Sequence, residues 1–381
     1  MRWGALGVLV FVTQCSFITP LDGLGGGSSD AGADVITDAP VGGDAGCGSV
    51  TSDSKNCGYC GHDCNGGQCH SGMCEPIIIA SGLETPSGIA VDGANVYFTL
   101  YLAGTVETCP LTGCAGAPKI LSAGNDEPND IKVDATNLYW ASEGSGVGLG
   151  SIKRCALPGC SSPTTLGSGS IVDWVATDAN NVYWTSTYDG FAYSCPIAGC
   201  GGTGTPIASN LTVPWHITAD ATNVYIAVWN GSLNAPATNG GVIGKCPVGG
   251  CTGAPTQLSK SENQPYQIAV DTDYVYWAGF KDNTIKRCAI AGCPTGATVI
   301  ASGEGGPSGI AVDDKYVYWT NYSSGTVRVC AKDGCDKTSA TLAVGQNHPN
   351  LITFDSSYVY FTDFGSESAT AKDGSVVKVP K

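Results

Sequence analysis

The sequence predicts an all-β fold: a seven-bladed β-propeller of four-stranded blades, closed by an N-terminal strand and preceded by a small disulfide-rich module. Three observations predict it. Seven copies of one phrase, from IAVDGANVYF to ITFDSSYVYF, place their shared aspartates (Asp92, Asp134, Asp178, Asp220, Asp271, Asp313 and Asp355) 42, 44, 42, 51, 42 and 42 residues apart. Six of those copies are followed by a C-x4-C phrase, from CPLTGC at 109–114 to CAKDGC at 330–335. The two ends of the chain carry complementary fragments of the same unit. A self-similar period of that length reads as radial repetition.

The first 15 residues read as an export signal. Arg2 precedes the apolar stretch Ala5–Val12, which has signal-peptide length and is too short to span a bilayer. Cys15 follows it directly and resembles the cysteine that bacterial lipoprotein signals lipidate. The phrase Val12-Thr13-Gln14-Cys15 departs from that pattern in having Gln where a small residue is usual. Residues 16–46 hold five aspartates and no lysine or arginine among Gly, Ala and Ser. Such a segment is a solvated tether with a reach on the order of 30 Å.

Residues 47–74 carry Cys47, Cys57, Cys60, Cys64, Cys69 and Cys74 with no apolar run to build a core, so cross-links must hold the module. Six cysteines allow fifteen pairings, and sequence does not choose among them. The NCGYCGHDC phrase resembles secreted cysteine-rich modules, including the stigma-specific cysteine-rich family. His62 and His70 invite zinc, but a structural knot is the favoured reading.

From residue 76 onward the chain is written in strand chemistry. Short β-branched and aromatic runs are bounded by Gly, Asn and Asp. In the first unit the strands are expected at Ile89–Asp92 (a), Val96–Thr99 (b), Thr105–Cys109 (c) and Pro118–Leu121 (d). The recurrent aspartate ending strand a reads as a turn former whose carboxylate caps loop amides. At the C-terminus the last copy has only a, b and c (Leu351–Asp355, Val359–Thr362, Ser375–Val379), while Pro76–Ala80 matches a lone strand d. Together they make the seventh blade and leave no open edge.

Each C-x4-C pair flanks a Gly-ending loop between strands c and d, at hairpin reach. The expected bridges are Cys109–Cys114, Cys155–Cys160, Cys195–Cys200, Cys246–Cys251, Cys288–Cys293 and Cys330–Cys335, each worth roughly 2 kcal/mol by loop entropy. Such a chain belongs in an oxidising compartment outside the cytoplasm.

The phrases Val317-Tyr-Trp-Thr-Asn321 and Tyr360-Phe-Thr-Asp363, after an I-A-V-D strand, resemble the YWTD repeats of low-density-lipoprotein receptors and the related NHL repeats, over residues 76–381. The resemblance implies a propeller acting as a binding platform. Six blades are usual for YWTD repeats where seven are counted here, and only the last copy keeps the motif's Asp.

The formal net charge of −15 disfavours nucleic acid and anionic membrane surfaces as partners. Membrane association is expected only through a lipid anchor. The pairs Lys153-Arg154 and Lys286-Arg287 recur at one place in strand c and read as repeat chemistry. With four histidines in total, no catalytic set, cofactor or metal is expected. Resemblance to virginiamycin-lyase propellers supplies the enzyme alternative, in which His216 with Asp130, Asp173 and Glu143 would form a metal-assisted elimination site.

Binding is the preferred function, by a monomer whose partner is a protein, peptide or glycan. The positions after the strand-a proline (Val172 in the third copy) differ between copies while their flanks stay regular. Asn129, Asp130, Asp173, Trp174, Trp215, His216, Tyr266 and Gln267 are therefore the expected ligand contacts at the channel mouth, since aromatic faces with carboxamides suit a sugar or short peptide. Four residues past the strand-b tyrosine stand Tyr101, Trp229, Phe280, Tyr322 and Phe364, expected to pack between blades.

Overall fold

A computed structural model describes residues 49–58, 61–145, 150–229, 240–251, 254–335, 339–366 and 371–381. The signal segment with Cys15, the acidic tether, Cys47 and Cys60 lie outside the described residues.

Seven antiparallel four-stranded sheets form a ring. Blades 1 to 6 run through residues 86–122, 128–169, 175–208, 213–262, 265–302 and 307–343, each with its strands a to d in chain order. Blade 7 takes strands a to c from 349–354, 358–363 and 374–380, and its strand d from Ile77–Leu83. The closing register pairs Ile77 with Lys378, Ile78 with Val377 and Leu83 with Gly374. The expected closure by residues 76–80 is thus present, with the strand running three residues further. Strand a of each blade lies beside strand a of the next, and that of blade 7 lies beside that of blade 1.

Strand b is buried on both sides because it lies mid-blade between two neighbouring blades. Its alternate residues feed separate interfaces. Tyr139 and Ala141 of blade 2, for example, pack with Val175, Val182 and Trp184 of blade 3. Strand d is outermost and exposes about half of its side chains.

The recurrent aspartate does more than cap a turn. Asp134 Oδ1 accepts the amides of Thr136 and Asn137, both at 2.7 Å, and its Oδ2 accepts the Tyr139 hydroxyl at 2.8 Å. The same three bonds recur at Asp92, Asp178, Asp220, Asp271, Asp313 and Asp355. The tyrosine ring belongs to the inter-blade core, so each aspartate ties a surface turn to that core.

All six blade disulfides form within their own hairpins, with Cα separations of 4.9 to 5.5 Å. Their loops also reach the preceding blade. The carbonyl two residues past the first cysteine accepts a bond from the cation just before the equivalent position in that blade: Arg154 to Ile197, Lys245 to Ile290, Arg287 to Lys332 and Lys378 to Leu111. Lys153 and Lys286 instead bind Asn125 and Glu262, which precede strand a of their own blades. The lysine–arginine pairs are repeat chemistry, as their spacing suggested. In the N-terminal module Cys57 pairs with Cys69 and Cys64 with Cys74. Its strand Met73–Cys74 packs against strand d of blade 6.

A second set of bonds ties strand a of each blade to the blade before it, and it comes in two forms. In blades 1, 3, 6 and 7 the threonine two residues past the strand-b tyrosine (Thr99, Thr185, Thr320, Thr362) donates to the carbonyl of Asn129, Trp215, Asn350 and Ser87 in the next blade. Blades 2, 4 and 5 have alanine there (Ala141, Ala227, Ala278). In these blades the second residue after the strand-a proline accepts an amide of the next blade instead. Asp130 takes Val175 N at 3.2 Å, His216 takes Ile268 N at 3.4 Å and Gln267 takes Ile310 N at 2.7 Å. All seven junctions are served by one form or the other. Gly88 and Gly309 occupy that second position in blades 1 and 6, where a Cβ would meet the Asn129 and Asn350 carbonyl oxygens at 2.6 and 2.3 Å. The close approach demands glycine there.

The aspartate turns should make the propeller acid-labile. Burial alone would raise the carboxyls of Asp92, Asp134, Asp220, Asp271 and Asp313, but the amide and hydroxyl bonds, preceded in weight by Lys332 at Asp271 and Lys381 at Asp313, outweigh it and hold them below the ordinary value. Their contribution is complete above the ordinary aspartate pKa and is lost as pH falls through the lower folded values. Thermal melts between about pH 5 and 2 should show this loss. Tyr139→Phe, which removes one charge-assisted bond, should cost about 1.5–3 kcal/mol at neutral pH and be milder at about pH 2.

Candidate functional site

Two register positions converge on the channel mouth. One is the pair of residues after the strand-a proline, and the other lies four residues past the strand-b tyrosine. Strand a carries the first set to the inner edge of each blade. The start of the b–c loop carries the second set over the same face.

In blades 3 to 5 these positions build an aromatic wall. Trp215 stacks on Trp229 with centroids 3.8 Å apart, and Tyr266 lies 5.6 Å from Trp215 and 5.8 Å from Phe280. Trp174 meets Tyr266 edge-on at 6.0 Å and His216 at 4.7 Å. Trp174, Trp215 and Trp229 are buried and Tyr266 is half-buried. Trp229 also donates its indole N–H to the Pro265 carbonyl of the next blade at 2.7 Å, so this residue does pack between blades.

Blades 1 to 3 place oxygens opposite. The Tyr101 hydroxyl donates to Glu143 Oε2 at 2.6 Å, across the junction from blade 1 to blade 2. The Thr187 hydroxyl donates to Asp173 Oδ2 at 2.7 Å. Burial, then the charge of Asp173, pushes the Glu143 carboxyl well above the usual carboxylate range. Burial likewise raises Asp173, which also feels Glu127. Burial, then the charges of Asp173 and Glu143, raises the Tyr266 hydroxyl. Lys132 pairs with Asp130 through both carboxylate oxygens, at 2.7 and 2.8 Å. Burial, then the Lys132 charge, holds His216 well below the usual histidine value, so the ring is neutral.

Of the eight residues expected at the mouth, Asp173, Trp174, Trp215, His216 and Tyr266 are brought together. Asp130, His216 and Gln267 also carry the blade junctions described above. Asn129 lies at the blade 1–2 junction, where its Oδ1 accepts the Ser87 hydroxyl at 2.6 Å. Six of the eight (Asp130, Asp173, Trp174, Trp215, His216 and Gln267) are buried, so these positions form an inner wall rather than an open rim. Sequence reasoning missed Thr187 and Glu127 and gave Glu143 only to the enzyme alternative. The signal was there, because Glu143 and Thr187 are the described polar residues in an otherwise aromatic register series. Among the described residues, the three metal-ligating atoms that lie within 4.8 Å of one another are the sulfurs of Cys57, Cys64 and Cys74, all in disulfides.

The fold and this site define a seven-bladed propeller with an asymmetric, aromatic and acidic channel mouth. Solved structures share the fold at low identity. A streptogramin B lyase matches with a TM-score of 0.62 and 14% identity, over 81% of this chain and 97% of its own. Virginiamycin B lyase from Staphylococcus aureus matches with a TM-score of 0.61 and 12% identity, over 81% and 98%. The PQQ-bound aldose sugar dehydrogenase of Streptomyces coelicolor matches with a TM-score of 0.52 and 13% identity, over 80% and 96%. These likenesses concern architecture alone. No family model and no curated protein matches the chain.

Two outcomes are expected. His216→Gln should keep the junction, as Gln267 does in blade 5, whereas His216→Leu should cost about 1–3 kcal/mol by leaving the buried Ile268 amide without its acceptor. Equal stability of the two variants in denaturant titration would remove the junction role. The raised carboxyls act in the opposite sense to the aspartate turns. Glu143 and Asp173 keep their protons in the fold after the unfolded chain has lost them, so their effect is to lower stability as pH rises from the ordinary carboxylate range through the raised values. Melting temperatures from about pH 5 to 9 should carry that slope, and the Glu143→Gln, Asp173→Asn double variant should flatten it.

Proposed function

We propose that this chain is a non-enzymatic, extracytoplasmic binding protein that holds a glycan or peptide at the mouth of its propeller channel. One observation carries the reading. A ring whose blades otherwise repeat sets aromatic rings at the strand-a positions of blades 3 to 5 (Trp174, Trp215 and Tyr266), beside carboxylates contributed by blades 2 and 3. Stability alone does not call for that asymmetry, because blades 1 and 6 close their junctions with Ser-Gly at the same strand-a positions. Aromatic faces and fixed oxygens are the usual means of orienting an apolar-faced polar ligand.

The disulfides support a location outside the cytoplasm. Within that location we place the chain on a membrane through lipidated Cys15, with residues 16–46 as its tether. Mass spectrometry of the mature N-terminus tests this, and an unmodified terminus downstream of Cys15 refutes the anchor.

The platform is tested by offering the disulfide-intact protein to glycan and peptide arrays and repeating any hit with Trp174→Ala, Trp215→Ala and the double variant. The double variant should lose most of the affinity with its melting profile retained. Unchanged affinity in a folded double variant removes this face as the site. Metal-dependent consumption of the captured molecule would favour the elimination enzyme with His216, Asp130, Asp173 and Glu143.

A further inference from the structure

Trp174 and His216 stand at the same register position in blades 3 and 4, with ring centroids 4.7 Å apart. His216 Nδ1 accepts the Ile268 amide, which places the proton of the neutral ring on Nε2. The Nε2–H of His216 and the Nε1–H of Trp174 are both enclosed, and neither has a hydrogen-bond acceptor among the described residues. Two donors cannot satisfy one another, and a buried N–H without an acceptor has given up its hydration with no return. Each therefore lacks an oxygen that the described residues do not supply.

We infer that these two N–H groups bind the first carbonyl oxygen of a peptide N-terminus, whose nitrogen is taken by Asp173 and Glu143. This rests on the channel-mouth reading above and names the class of ligand. The two halves adjoin, since Asp173 precedes Trp174 in the chain and the Tyr266 ring meets Trp174. Lys132 is committed to Asp130 and is not their counter-ion. A peptide N-terminus brings, within one residue, a carbonyl oxygen for the donors and a positive nitrogen for the acceptors. A neutral sugar brings hydroxyls but no positive charge to favour ionisation of Asp173 and Glu143, whose carboxyls burial raises.

The test uses the full chain with its disulfides intact and its tryptophan and histidine ring nitrogens isotope-labelled. Triglycine and N-acetylglucosamine serve as separate probes, followed by nitrogen-15 NMR. Triglycine should shift the Trp174 indole and His216 ring signals together and saturably. Trp174→Phe, which keeps a ring and removes the N–H, should weaken that binding by about three- to tenfold, as loss of one neutral hydrogen bond does. Movement of the Trp215 and Trp229 indole signals by the sugar, with Trp174 and His216 still under both probes, overturns this inference and leaves the platform standing. Silence of every channel-mouth resonance under both probes overturns the two together. The wild-type shifts decide between these outcomes even if the phenylalanine variant does not fold.

Discussion

Everything in this propeller depends on how the inner strand of one blade is held by the blade before it. Strand a has a sheet partner on one side only, and its other edge carries amides and carbonyls that face the channel and the neighbouring blade. Left unpaired in a buried setting, those groups would cost more than the side-chain packing around them returns. The threonine of four blades and the Asp130, His216 and Gln267 side chains of the other three each reach across and take one such group. Because the ring has no free end, a weak junction loads all the others. This explains why an alanine in strand b always comes with a long acceptor on strand a.

The same constraint shapes the site. A junction closed by threonine leaves the second strand-a position free of that duty: it is glycine in blades 1 and 6, where the next blade comes too close for a Cβ, and Trp174 in blade 3. A junction closed by the second position fixes the residue's type and orientation. His216 does both jobs: one ring nitrogen holds the ring of blades together and the other points away from that bond. Architecture thereby sets the tautomer, and the tautomer sets what the channel mouth offers.

Much of the fold was legible because it is written seven times. The aspartate turns, the local disulfides and the closing strand follow from comparing copies along their length. The exchange of Ala141, Ala227 and Ala278 for the acceptors Asp130, His216 and Gln267 was equally present in the letters. It couples strand b of one blade with strand a of the same and the next, and reading each strand by itself does not reveal it. The mouth was legible only in part. Variation picked out Asp173, Trp174, Trp215 and Tyr266, but the depth to which the ring buries them and their pairing with Tyr101, Glu143 and Thr187 depend on curvature, which no single blade encodes.

The blade that joins the two ends orders events in time. The two cysteines of each blade pair stand five positions apart, so their bridge can form as soon as the hairpin has emerged. Ile77, by contrast, must wait for Lys378, its partner at the far end of the chain. Until then six stapled sheets form an arc with two raw edges, and the N-terminal strand is an unpaired ribbon able to join either a neighbour's edge or its own. Premature termination near residue 370 would leave the cross-links formed but the circle open, yielding a species rich in native disulfides and prone to linking end to end with its copies.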